Sequence, residues 1–125
     1  MKSYLCIDYG EKRIGLALAD TPIAEPYKII DADNAISTIK QICDQKEITD
    51  IVVGISEAKT KEDTQTFILD LKKTINLPIY TQDETMTTHE VKQHFLDTGV
   101  SKEKTHGYID HFSAALILQD FLDEQ

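Results

Sequence analysis

Apolar positions along the chain fall into two rhythms, and the change from one to the other divides it. From Ser3 to Asp8 they alternate, with Leu5 and Ile7 on one face and Cys6 and Asp8 on the other, the period of a β-strand. From Arg13 to Ala19 both faces are apolar, which predicts a central strand covered on both sides. The gap between these strands is too short for a crossover, so they pair as an antiparallel hairpin. Pro22 and Pro26 bracket a connection to a short third strand over Tyr27–Ile30.

The helical rhythm then begins. Asp33 or Asn34 caps a first helix whose apolar stripe is Ile36, Ile39, Ile42 and Cys43. Asp50–Ile55 is a short β-branched run and reads as a buried parallel strand. A polar loop from Ser56 to about Lys61 leads to a second helix with Phe67, Ile68, Leu71 and Ile75 on its core side. Pro78–Gln82 makes a fifth strand that runs out at Asp83 and Glu84. Thr87 with Glu90 three residues on is a capping-box pattern, opening a third helix that carries Val91, Phe95 and Leu96 and stops at Gly99. Ser101–Gly107 is polar and basic and is predicted as a mobile loop. A last helix over Tyr108–Asp123 is apolar around most of its circumference, which implies burial against a sheet.

The order β-β-β-α-β-α-β-α-α predicts an α/β fold. A three-stranded antiparallel meander continues into two parallel strands, giving a mixed five-stranded sheet flanked by helices on both faces. Residues 1–125 are expected to form one domain. Ligands of such sheets collect outside the carboxyl ends of the parallel strands, near a topological switch point.

Composition narrows the function. Apolar content of 41% and charged content of 28% are those of a soluble globular protein. Met1-Lys2-Ser3 runs straight into a strand and no apolar run reaches the length of a bilayer span, so a cytoplasmic chain without a membrane partner is expected. Cys6 and Cys43 lie within apolar patterns and are expected as reduced, buried thiols. Net charge is −9 and Arg13 is the only arginine, which argues against a general nucleic-acid binder held by a basic surface.

Three acidic positions interrupt apolar elements: Asp8, Glu84 (with Asp83 beside it) and Asp110. A carboxylate on an apolar strand is costly unless something compensates it. Convergent carboxylates repel one another, and a hard cation such as Mg²⁺ or Mn²⁺ relieves that repulsion through oxygen ligands. Two such ions clamp the attacking and leaving oxygens of phosphoryl transfer. Each acid also has a plainer role as a turn, loop or helix-end residue. Lys12 and Arg13 suit a phosphate, with the turn at Gly10 between them and Asp8, and Thr87 suits a phosphate oxygen near a helix start. His89, His94, His106 and His111 lack zinc-ligand spacing, and no Ser/His/Asp or Cys/His arrangement is present.

The run Asp8-Tyr9-Gly10-x-Lys12-Arg13-Ile14-Gly15-Leu16-Ala17 resembles the opening motif of the YqgF family. Val52-Val53-Gly54-Ile55, Asp83-Glu84-Thr85-Met86-Thr87-Thr88 and Ile109-Asp110-His111-Phe112-Ser113-Ala114-Ala115-Leu116-Ile117-Leu118-Gln119 continue it in order across nearly the whole chain. These are RNase H-like proteins described as Holliday junction resolvases or as nucleases maturing the small-subunit ribosomal RNA precursor. The resemblance implies that Asp8, Glu84 and Asp110 are metal-binding catalytic acids of a metal-dependent endonuclease acting on a pre-16S rRNA precursor or branched DNA. Two departures stand out. Ile55-Ser56-Glu57-Ala58-Lys59 lacks the family's Leu-Pro and loop glycine, and Thr85 replaces an arginine, removing a bidentate phosphate ligand. Both departures suit a non-catalytic binding or assembly factor on the same fold. Asp8-x-Gly10 through Gly15 also resembles the first phosphate loop of actin-like ATPases, which close two lobes over a nucleotide. A junction resolvase implies a homodimer, whereas trimming of a single RNA strand is open to a monomer.

Overall fold

The computed structural model describes the backbone of residues 1–55, 61–83 and 102–125, with side chains throughout these except at residues 61 and 102–112. Five strands form one sheet in the order β3-β2-β1-β4-β5, with β1 Tyr4–Asp8, β2 Arg13–Ala19, β3 Glu25–Asp31, β4 Asp50–Ile55 and β5 Ile79–Asp83. β1 is antiparallel to β2 and parallel to β4, so the antiparallel and parallel halves meet on it. β2 pairs antiparallel with β3, and β4 pairs parallel with β5. This is the mixed sheet that the hydrophobic pattern predicts.

Alternation along β1 separates two cores. Leu5 and Ile7 face one layer with Ile14, Leu16, Ile51 and Val53, covered by α1 (Ala35–Gln45) and α2 (Lys61–Thr74). Cys6 faces the other layer with Ala17 and Val52, covered by α3 (Lys102–Asp123) through Ala114, Ile117, Leu118 and Phe121. The small Ala17, Ala19 and Ala114 let that helix approach the sheet closely. Truncating a fully buried leucine such as Leu16 costs about 2–5 kcal/mol, so either layer alone carries much of the fold's stability. Neither cysteine is in a disulfide and both are buried, and burial pushes the Cys43 thiol up to about 11.

Three local departures have physical reasons. α3 starts at Lys102, six residues before the expected Tyr108, so Lys102–Gly107 is helix and not a loop. Its lysines and glutamate are good helix formers and outweigh the single glycine. Asn34 occupies the N-cap position of α1 in a left-handed conformation (φ 59°) and makes no side-chain capping bond. β3 extends past the expected Tyr27–Ile30 at both ends. Its register with β2 slips between Leu16 and Ala17, leaving Tyr27 as the extra residue of a bulge beside Pro26. Proline and Lys28 on an edge strand discourage pairing with another chain. The expected helix over residues 87–99 lies outside the described residues.

Candidate active site

Asp8 is the last residue of β1, at the carboxyl edge where the sheet changes from antiparallel to parallel. It is buried, with 7% of its surface exposed, and shares a face with Cys6, so it lies on the side covered by α3. Its cross-strand neighbours are Gly15 on β2 and Gly54 on β4. Paired residues project on the same face with Cβ atoms about 5 Å apart. Neither neighbour therefore brings a side chain against the carboxylate from within the sheet. Gln82 stands one strand further out on the same rung. A carboxylate held at a strand end beside two glycines is an oxygen ligand of the kind a hard divalent cation takes.

The turn after Asp8 is fixed by steric necessity. A Cβ on Gly10 would lie 2.4 Å from the carbonyl oxygen of Arg13, so only glycine lets the chain close here. The Ala32 amide donates to the Lys12 carbonyl at 2.9 Å, tying the turn to the end of β3. Arg13 opens β2 opposite Asp31, and Lys12 is exposed beside it. These two cations are thereby carried at the same end of the sheet as Asp8. Tyr9 points to the opposite face and packs on Phe67 of α2, ring centroids 4.7 Å apart. Burial, with Asp63 and Glu11 nearby, raises the Tyr9 hydroxyl above its ordinary value, so it stays protonated at neutral pH.

Asp110 lies on α3, and the direction of that helix fixes its level. Phe121 packs edge-on against Tyr4 at the start of β1, ring centroids 5.7 Å apart, and against Tyr80 at 5.3 Å. Eleven residues back along a helix is about 16 Å. Tyr4 to Asp8 along a strand is about 13 Å. α3 thus runs antiparallel to β1, and position 110 comes near the level of Asp8. It also keeps the register of the buried positions 114, 117 and 121. Gln119 holds this alignment: its Oε1 accepts from the Ala24 amide at 2.8 Å and its Nε2 donates to the Pro22 carbonyl at 2.9 Å. Glu84 follows the last residue of β5 in sequence, and with Thr87 it lies outside the described residues. Among the described residues no group of three histidine, cysteine or acidic side chains is placed to hold a metal ion.

A second buried carboxylate lies outside the candidates that the sequence pattern offers. Asp50 begins β4 at the opposite edge of the sheet and is 1% exposed. Its Oδ2 accepts from Lys2 Nζ at 3.1 Å and from the Tyr80 hydroxyl at 3.1 Å. Burial pushes its pKa up, but hydrogen bonds from Thr49, Lys2 and Tyr80 and the charge of Lys2 outweigh this and hold it below the ordinary 3.8. The signal was the acid at the head of an apolar run, the same feature that marked Asp8. Gly15 was also legible as one flank of Asp8 from the hairpin, whereas Gly54 on the parallel β4 was not.

Similarity to known proteins agrees with this geometry. The family model described as RuvX, Holliday junction resolvase, matches residues 2–124. A curated relative from Halothermothrix orenii, named as a candidate pre-16S rRNA nuclease, is 32% identical over 130 residues, covering 95% of this chain and 93% of that relative. A relative from Roseiflexus with the same name is 32% identical over 132 residues, covering 97% and 94%. Among solved structures, the Fowlpox virus resolvase bound to Holliday junction DNA superposes with a TM-score of 0.57 at 10% identity, covering 98% of this chain and 97% of that one. Thermus thermophilus RuvC bound to a Holliday junction gives 0.52 at 8% identity, covering 90% and 92%. At these identities the structures show a shared RNase H-like resolvase fold.

Proposed function

The chain belongs to the RuvX Holliday junction resolvase family, and from that premise we propose that it is a divalent-metal-dependent endonuclease acting on a structured nucleic acid, foremost the 5′ region of pre-16S rRNA in the cytoplasm. One observation carries the reading beyond family membership. The buried Asp8 closes β1 at the switch point of the sheet, with glycine as its cross-strand neighbour on both sides, the place where ligands of such sheets collect.

Asp8, Glu84 and Asp110 are the proposed metal ligands. Mg²⁺ or Mn²⁺ bound to them would activate a water for attack on the phosphodiester and stabilise the leaving oxygen. The chain's own part is to hold those carboxylates and to orient the phosphate. Lys12 and Arg13, carried at the same sheet end by the Gly10 turn, neutralise the phosphate; with Thr85 in place of an arginine, they carry that task. With a net charge of −9, binding depends on the site more than on a basic surface.

The family description favours a second substrate, the four-way DNA junction, and the curated relatives favour ribosomal RNA precursor. A cleavage panel of pre-16S rRNA fragment, four-way junction and single strands, with Mg²⁺, Mn²⁺ or EDTA, separates them. Cleavage of the precursor that requires metal and vanishes in Asp8→Asn is the expected result. Cleavage unchanged by EDTA, or by Asp8→Asn, overturns the reading. Sedimentation in the presence of each substrate distinguishes a monomer acting on one strand from a homodimer acting on two.

A further inference from the structure

Behind the edge that carries Asp8 lies a second concavity that this mechanism does not use. Tyr9 and Phe67 line a cavity of about 460 Å³ between the opening turn of α1 and the first half of α2. Asn34 borders it from α1, and its side chain makes no capping bond. Asp63, Thr66 and Asp70 border it from α2, spaced i, i+3 and i+7, so they form one stripe along the helix. No lysine or arginine is among its described lining residues.

Those features define what fits. Two carboxylates without a cation repel a phosphate or any other anion. Two aromatic rings favour a flat, unsaturated group over an aliphatic one. Asp63 and Asp70 accept hydrogen bonds and donate none, so they favour a guest that turns an N–H₂ group to them over one whose single N–H is flanked by two carbonyl oxygens. The volume lies within the range of small-molecule pockets and exceeds what a single guanidinium would fill. Tyr9 follows the end of β1 and Ala32 the end of β3, so the cavity lies at the Asp8 end of the sheet, on its opposite face. Enzymes and binding proteins take up unstacked bases in this way, between aromatic rings and polar groups.

We propose that the cavity formed by Tyr9, Phe67, Asn34, Asp63, Thr66 and Asp70 receives one unstacked nucleobase bearing an exocyclic amino group. Adenine, cytosine and guanine qualify, and uracil, whose only ring N–H available in a nucleoside lies between two carbonyl oxygens, fits less well. The proposal rests on the nuclease reading for the identity of its strand. It gives the chain a preference for a strand with an unpaired base, and it explains how an acidic protein selects a nucleic acid without a basic surface. Discrimination comes from hydrogen bonds left unmade by the wrong base, which is the stronger kind of selectivity.

Titration of the ¹⁵N-labelled full chain with adenosine, cytidine and uridine, without metal, tests it. Adenosine and cytidine are expected to shift the amides of Tyr9, Ser37, Thr66 and Phe67 saturably, with uridine at least about fivefold weaker. Tyr9→Leu is expected to weaken adenosine about tenfold. Asp70→Asn, an exposed helix position that keeps the test alive if Tyr9→Leu fails to fold, is expected to erase the preference over uridine. Equal shifts by uridine, shifts on another surface, or none up to the solubility limit overturn the proposal. Saturation of the same amides by N-acetylarginine amide at lower concentration than adenosine also overturns it, and assigns the cavity to a basic peptide. The titration uses neither Asp8 nor metal, so its failure and that of the nuclease reading are seen in separate experiments.

Discussion

Asp8 and Asp50 sit on adjacent strands, both buried, at opposite edges of one sheet. Asp50 is enclosed by groups that answer its charge: an ammonium, a phenol and a threonine hydroxyl. Asp8 has glycine as its cross-strand neighbour on both sides. The comparison separates two ways in which one sheet holds a buried acid. Burial is common to both and does not discriminate. What differs is whether neighbouring positions are filled with donors or left without side chains. A β-sheet makes that choice legible, because register decides which residues flank which.

The contrast is broken most directly by Asp8→Asn, which removes a charge and keeps the shape. Metal-dependent cleavage is expected to fall by at least about a thousandfold in single-turnover assays, while urea unfolding changes less than in the matching Asp50→Asn protein. Equal activity in both variants would end the distinction. Gly54→Ala sharpens it from the neighbouring strand. A methyl group on the face and rung of Asp8 is expected to lower cleavage about tenfold, with unfolding free energy changed by less than about 1 kcal/mol. A loss of stability matching the loss of activity would show that Gly54 serves packing alone.

At the other edge, Asp50→Ala removes an acceptor that is hydrogen-bonded to charged and neutral donors. It is expected to cost about 2 kcal/mol in urea unfolding and to leave cleavage per folded molecule unchanged. The smallest effect is in the acid limb of stability. Because Asp50 titrates below its ordinary 3.8 in the folded chain, its contribution is complete above that value and is lost as pH falls through the lower, folded pKa. Asp50→Asn is therefore expected to flatten the stability–pH curve below about pH 4, measured by thermal unfolding across pH 2–6. A curve that keeps its slope would assign the acid limb to other carboxylates.

Much of the fold was legible because period-two alternation carries its own meaning. Leu5 and Ile7 against Cys6 and Asp8 divided correctly into two layers, and β2 and β4 kept the bounds that their apolar runs suggest. The bulge at Tyr27 was not legible, since one extra residue on an edge strand leaves no trace in composition. Nor was the early start of α3, where Gly107 and a polar run argue for a loop and only the summed propensity of the flanking residues argues for helix. At the site, Asp8 announced itself by its cost on an apolar strand. Asp50 had the same cost and escaped notice because its partners, Lys2 and Tyr80, lie 48 and 30 residues away in sequence. Long-range pairing of that kind follows from strand order, which single residues do not encode.

The Gln119 side chain has a consequence for how the molecule breathes. Its two hydrogen bonds fasten the β2–β3 connection to the far end of α3, so neither can open alone without breaking them. The helix and the connection then belong to one cooperative opening unit. The Ala24 amide proton, held by that glutamine at 2.8 Å, becomes a single-site gauge of helix detachment. Its solvent-exchange rate would report each excursion that carries position 110 away from the sheet.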